Sequence, residues 1–321
     1  MYRRSLIGSA AAAGLLPAAS RAQSFPSKQI RIVVGAAAGG GADIVARILA
    51  QELTKNGGLS ILVDNKPGAG GTVATREALR APADGHTLMM ANVGVLAVIP
   101  YATKDAGYDP RADITPVCLA VDFSNMVVVH PSVPAKTLAE YLALARRPDG
   151  MDYGTSGVGS AGHLAGELLK SMSGARLNHV PFRGGGPAMT DLVGGHVPSV
   201  IASAPTATGF VRDGRIRALA VTGAKRSPFD PDIPTVAELG FPGYAATNWY
   251  ALVVSSKVPP DTVAALNTIM TKALKAPEVQ AAYGQQGMET LAGTAQEAAT
   301  HIARETEIWK KVIADAGIRL D

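Results

Sequence analysis

The chain has 321 residues, 47% of them hydrophobic and 17% charged, with 35 Gly, 21 Pro, one Cys and only 5% aromatics. This content excludes a disordered chain, a collagen and a disulfide scaffold, and the length suits one large or two ordinary globular domains. The net charge of +4 owes three of its units to Arg3, Arg4 and Arg21, so the rest is nearly neutral, and no clustered basic face points to nucleic acid or an anionic membrane.

Residues 1–22 read as an export signal. Arg3-Arg4 precede an apolar, small-residue run over 6–19, and Ser20-Arg21-Ala22 offers a small-x-small cleavage site before Gln23. The apolar run is too short to span a bilayer, and no later stretch reaches eighteen apolar residues. The adjacent arginines match a twin-arginine signal loosely. The expectation is a periplasmic protein without a lipid anchor, since no Cys follows the cleavage site. Cys118, alone in an apolar stretch, reads as a buried small hydrophobe.

From residue 30 the chain alternates strand and helix. The β-branched run 30–34 is a strand ending in a Gly/Ala-rich turn, and apolar positions Ile44, Val45, Ile48, Leu49 and Leu53 mark a helix starting near Ala42. A strand at 60–63, a helix over 72–80 and a strand at 87–91 follow, the order of a parallel sheet covered on both faces. The pattern restarts after 117–120. Strands are expected at 126–129, around Tyr153, at 177–180 and at 197–202, with helices near 137–146, from His163 and from Pro187. Residues 222–243, with Pro228, Pro231, Pro234 and Pro242, read as a long connection. A strand at 249–254 and helices near 260–275 and 294–314 close an α/β chain.

Four turns lie where strands end, the place where open α/β sheets bind ligands with free backbone amides at helix starts. The first runs from Gly35 through Gly39, Gly40 and Gly41 to Asp43. Its glycines allow close backbone approach. Asp43 is either a helix-start carboxylate or a ligand contact, and against an anion it would need a water, a hydroxyl or an ammonium between. The second is Asn92-Val93-Gly94. The third, Gly154-Thr155-Ser156-Gly157-Val158-Gly159-Ser160-Ala161-Gly162-His163, adds hydroxyls before a helix. The fourth is Pro181-Phe182-Arg183-Gly184-Gly185-Gly186-Pro187, where Arg183 could face a ligand carboxylate or simply solvent. His163 reads more readily as a helix-start residue than as a base, because no nucleophile accompanies it.

Enzyme signatures fail on spacing. From Gly39, Ile44 stands where a dinucleotide fingerprint needs its third glycine, although Asp64 ends the next strand. Ala42-Asp43 is wrong for a P-loop, and no Gly-x-Ser-x-Gly elbow occurs. The histidines form no zinc-binding pair. A triad assembled from distant residues would leave no such trace, so a hydrolase or isomerase stays as the minor alternative.

Further strings complete a pattern: Val63-Asp64-Asn65-Lys66-Pro67-Gly68-Ala69-Gly70-Gly71, Asp84-Gly85-His86-Thr87-Leu88, Tyr108-Asp109-Pro110-Arg111-Ala112-Asp113-Ile114, Asp191-Leu192-Val193-Gly194-Gly195 and Ile233-Pro234-Thr235-Val236-Ala237-Glu238. In this order and spacing, from Ile30 onward, the chain resembles the Bug (TctC-like) substrate-binding proteins of tripartite tricarboxylate transporters. The resemblance implies a bilobal periplasmic binding protein of the Venus flytrap type, with two parallel-sheet-rich lobes and two crossover strands. One lobe would be 25–124 with 223–321, the other 125–222. It implies a small organic acid held in the cleft and delivered to membrane permease subunits, or sensed for a two-component kinase, by a monomer. The candidate ligand-binding set is Gly39, Gly40, Gly41, Asp43, Asn92, Val93, Ser156, Ser160, His163, Arg183, Gly184, Gly185 and Ser203. No catalytic residue, metal or cofactor is expected. One departure stands out: Gly35 and Ala36 replace the family's usual Pro and aromatic residue, which predicts a roomier pocket.

Overall fold

The computed structural model describes residues 25–315, 319 and 320, so the export-signal reading of 1–22 lies outside the described residues. In chain order come β1 (Ile30–Val34), α1 (Gly41–Lys55), β2 (Ile61–Asn65), α2 (Thr72–Arg80) and β3 (Thr87–Asn92). A π-helical turn (Gly94–Val98), α3 (Ile99–Ala102) and α4 (Pro110–Asp113) lead into β4 (Ile114–Val129). Then follow α5 (Leu138–Ala145), β5 (Met151–Thr155), α6 (Ala161–Ser173), β6 (Leu177–Pro181), α7 (Gly185–Val193), β7 (Ser199–Ser203), α8 (Ala204–Arg212) and β8 (Arg217–Val221). The chain ends with β9 (Thr247–Ser255), α9 (Pro260–Leu274), α10 (Pro277–Gln285), β10 (Glu289–Thr290) and α11 (Ala295–Asp315).

The strands form one curled mixed sheet in the order β2-β1-β3-β9-β4-β7-β5-β6, with β8 and β10 also paired to β4. Strand β4 is shared. Its residues up to Ser124 pair antiparallel with β9, and from Asn125 onward it pairs with β7 and β8 instead. On either side of that switch lie parallel neighbours, β2-β1-β3 in the first half and β6-β5-β7 in the second. The chain returns between β8 and β9, where buried Thr222 donates its hydroxyl to the Ala246 carbonyl at 2.6 Å and accepts the Asn125 N–H at 3.1 Å.

Residues alternate between two hydrophobic clusters, one on each face of the sheet. Val33, Met89, Ala91, Trp249 and Ala251 enter one. Their neighbours Ile32, Val34, Leu88, Met90, Tyr250 and Leu252 enter the other. Period-two alternation with both faces buried explains why these strands read as continuous apolar runs. Cys118 lies fully buried in the second cluster, its thiol pushed up to about 12 by burial.

One expectation is corrected. Residues 117–120 and 126–129 belong to one sixteen-residue strand rather than to separate segments. Pro116 masked it, but this proline sits at a register shift, where a strand tolerates a missing donor. Helix α8 and strand β8 fill residues 204–221, between the strand expected at 197–202 and the connection expected from 222. Pro205 occupies the first turn of α8, where proline removes no helical hydrogen bond.

Candidate functional site

The four turns leave the carboxyl ends of β1, β3, β5 and β6 and meet around one partly enclosed cavity. Its volume is about 50 Å³, room for one small molecule or a few waters. From the first half of the sheet it is lined by Gly35, Ala36, Gly41, Gly70, Gly71 and Asn92. From the second come Ser156, Ser160, Gly162, Gly185 and Ser203, and from the switch region Asn125, Asn248 and Tyr250. Among the described residues, none of those lining the cavity carries a charge.

Five helices start at its wall. Gly40 caps α1, Gly71 caps α2, Ser160 caps α6, Gly184 caps α7 and Ser203 caps α8. Among these five, Ser160 caps a backbone N–H of its own helix, accepting from His163 at 3.3 Å, whereas the Ser203 hydroxyl pairs with the Thr206 hydroxyl at 3.1 Å. The other four starts receive no side-chain capping bond, which leaves first-turn amides and the positive end of each helix macrodipole to the cavity. Each favours a negative charge by about 0.3–1 kcal/mol, more where partly buried. Such an arrangement holds an anion by amides rather than by cations.

Of the candidate residues, Gly41, Asn92, Ser156, Ser160, Gly185 and Ser203 line the cavity. Gly40 and Gly184 are caps one residue away, and Gly39 precedes Gly40 in a left-handed conformation with φ +76°. Asp43 is buried behind the first turn. Its carboxylate accepts the Gly39 N–H, Arg47 Nε and Asn65 Nδ2, each at 2.9 Å. Burial alone would raise its pKa, but these hydrogen bonds and the Arg47 charge outweigh burial and hold the carboxyl below the usual range. Asn65 also donates to the Ala36 carbonyl at 2.9 Å, so Asp43, Arg47 and Asn65 together pin the turn. Val93 is a fully buried core residue. His163 is buried too. Its Nδ1 accepts the Gly159 N–H at 3.2 Å, and its ring stacks on His179 with centroids 3.9 Å apart. Arg183 is exposed and contributes its carbonyl, which accepts the Ala37 N–H from the opposite half at 3.3 Å.

Sequence reading missed Asn125, Asn248 and Tyr250. The available signal was polar: an asparagine opening each of the apolar runs 125–129 and 248–254 has no place in a dry strand unless something meets it. At Gly35 a Cβ would lie 2.8 Å from Gly71 Cα, so the second glycine run packs directly against the first turn, and both Gly35 and Ala36 line the cavity. Among the described residues no cluster of His, Cys, Asp or Glu could hold a metal, and no helix is long and apolar enough to cross a membrane.

A family model described as "Tripartite tricarboxylate transporter family receptor" matches residues 45–318. The protein BugT of Bordetella pertussis is 32% identical over 301 residues, covering 93% of this chain and 92% of its own. A protein of R. palustris solved with adipate superposes with a TM-score of 0.88 at 35% identity, over 92% of this chain and 99% of that one. MatC from Rhodopseudomonas palustris, solved with bound malate, gives 0.85 at 29% identity, over 90% and 100%.

Proposed function

From a chain that belongs to the tripartite tricarboxylate transporter receptor family and carries its two-lobed α/β binding-protein fold, we propose a periplasmic solute-binding protein that clamps a small carboxylate and delivers it to membrane permease subunits. The observation that carries this reading is the convergence of five helix N-termini, from both halves of the sheet, on one cavity lined without charge. Bound adipate and malate in two similar proteins support the ligand class.

The mechanism is closure without chemistry. The lobes are residues 25–124 with 223–321, and 125–222, hinged where β4 changes partners. The first turn of α1 presents amides from one lobe, and the first turns of α6, α7 and α8 from the other. Only with the lobes together do both sets satisfy one ligand, so the ligand stabilises the closed state by its differential contacts there. Asp43 stays ionised, but its charge is paired with Arg47 and its oxygens are taken by Gly39 and Asn65, which reduces its repulsion of an anion at the first turn. Export through residues 1–22 and a monomeric state complete the reading.

Calorimetry and thermal shift on the mature chain, refolded to strip retained ligand, test it. A four- to six-carbon carboxylate should bind one to one and raise stability by about 2.7 kcal/mol at a hundredfold excess over Kd. The compound should be recovered unchanged. Turnover of the compound, or no response to any acid of this size, would overturn the reading.

A further inference from the structure

The helix termini do not account for the whole cavity wall. Strand pairing sets a neutral polar row across it. Asn92 lies opposite Tyr250 between β3 and β9, Asn248 opposite Phe123 between β9 and β4, and Asn125 opposite Ser203 between β4 and β7. Asn92, Tyr250, Asn248, Asn125 and Ser203 all line the cavity, so the row faces it together. Asn125 and Asn248 are therefore diagonal neighbours, and Asn248 Nδ2 donates to Asn125 Oδ1 at 3.4 Å.

Both asparagines line the cavity, at 1% and 5% exposure. Their other amide atoms, Asn125 Nδ2 and Asn248 Oδ1, are buried without a hydrogen-bond partner among the described residues. Rotating both amides by half a turn exchanges the atoms and leaves the inventory unchanged: one NH2 and one carbonyl remain. Two orphaned polar atoms of opposite kind, side by side, specify what satisfies them.

On the reading that the helix termini hold a carboxylate, we infer that the Asn125–Asn248 pair selects an uncharged donor–acceptor group at the ligand's other end, a carboxamide fitting best. The ligand carbonyl accepts from Asn125 Nδ2, and the ligand N–H donates to Asn248 Oδ1. A second carboxylate only accepts. It leaves Asn248 Oδ1 facing another oxygen, and no cation lines the cavity to offset the desolvated charge. The ligand class is thus a short acid ending in an amide rather than a diacid.

Calorimetry at pH 7.5 on the refolded mature chain decides it with length-matched pairs: succinate and succinamate, glutarate and glutaramate, adipate and adipamate. In the pair whose length fits, the monoamide should bind about tenfold tighter or more, the effect of one satisfied against one stranded buried group. Asn248→Leu should shrink that ratio toward unity. Diacids binding as tightly as their monoamides in every pair would overturn the selection and leave carboxylate capture standing. No binding by any of the six would remove both.

Discussion

Asp43 shows how a charged residue at a binding turn serves the backbone rather than the ligand. Three donors surround its carboxylate, and the Asn65 that joins them also ties down the Ala36 carbonyl. Asp43→Ala strands the Gly39 and Asn65 N–H groups, and Arg47 is half exposed, so its share is discounted. Stability should fall by about 2–3 kcal/mol, read as a lower urea midpoint at unchanged slope. The stacked His163 and His179 give a second residue-scale prediction. Burial first, then the charges of His163 and Lys170, push His179 down to about 3, and burial lowers His163 as well, against the pull of Glu167. Both rings are therefore neutral in the fold at pH 7. As pH drops below the unfolded value near 6.5, the unfolded chain takes up protons that the fold refuses, and stability is lost from there toward pH 3. Asp122 acts in the opposite sense, since burial raises its carboxyl to about 6. The difference between wild type and His179→Gln isolates the histidine contribution: the variant's Tm should fall less between pH 7.5 and 5.

At the scale of elements, β4 and the return through residues 222–246 decide how the halves are joined. Thr222 bridges the two crossings by giving its hydroxyl proton to Ala246 and accepting from Asn125. Thr222→Val keeps the shape and removes both bonds. Two buried backbone groups then lose a partner, and a loss of about 2–4 kcal/mol is expected in denaturant titration. The same substitution disturbs Asn125, so ligand affinity should fall with stability.

Across the whole molecule, the two halves touch through backbone and small residues. Ala37 N–H meets the Arg183 carbonyl, and a Cβ built on Gly186 lies 2.9 Å from the Ala38 carbonyl oxygen. Gly186→Val wedges that seam. Gly186 sits in the first turn of α7, is only half-buried and has no side chain in the core, so the unfolding midpoint should change little. Affinity should drop about tenfold, and the radius of gyration of the ligand-saturated protein measured by small-angle scattering should rise. An unchanged radius with weakened binding would place the damage in the amide cradle rather than in closure.

The strand-helix alternation, the four glycine turns and the resemblance they support were legible in the chain, because each depends on neighbours a few residues apart. Period two, helix starts and turn chemistry are local properties. The long β4 and helix α8 were not legible, since Pro116 and Pro205 break the local pattern at positions where the surrounding pairing makes a proline harmless. The site divided in the same way. Gly41, Ser160 and Gly185 could be named from their turns, whereas Asn125, Asn248 and Tyr250 lie on strands whose partners are remote in the chain. Which side chains of a strand share a cavity is settled by register between β3, β9, β4 and β7. Register is the sum of many remote contacts, so the chemistry of this cavity wall belongs to the tertiary structure alone.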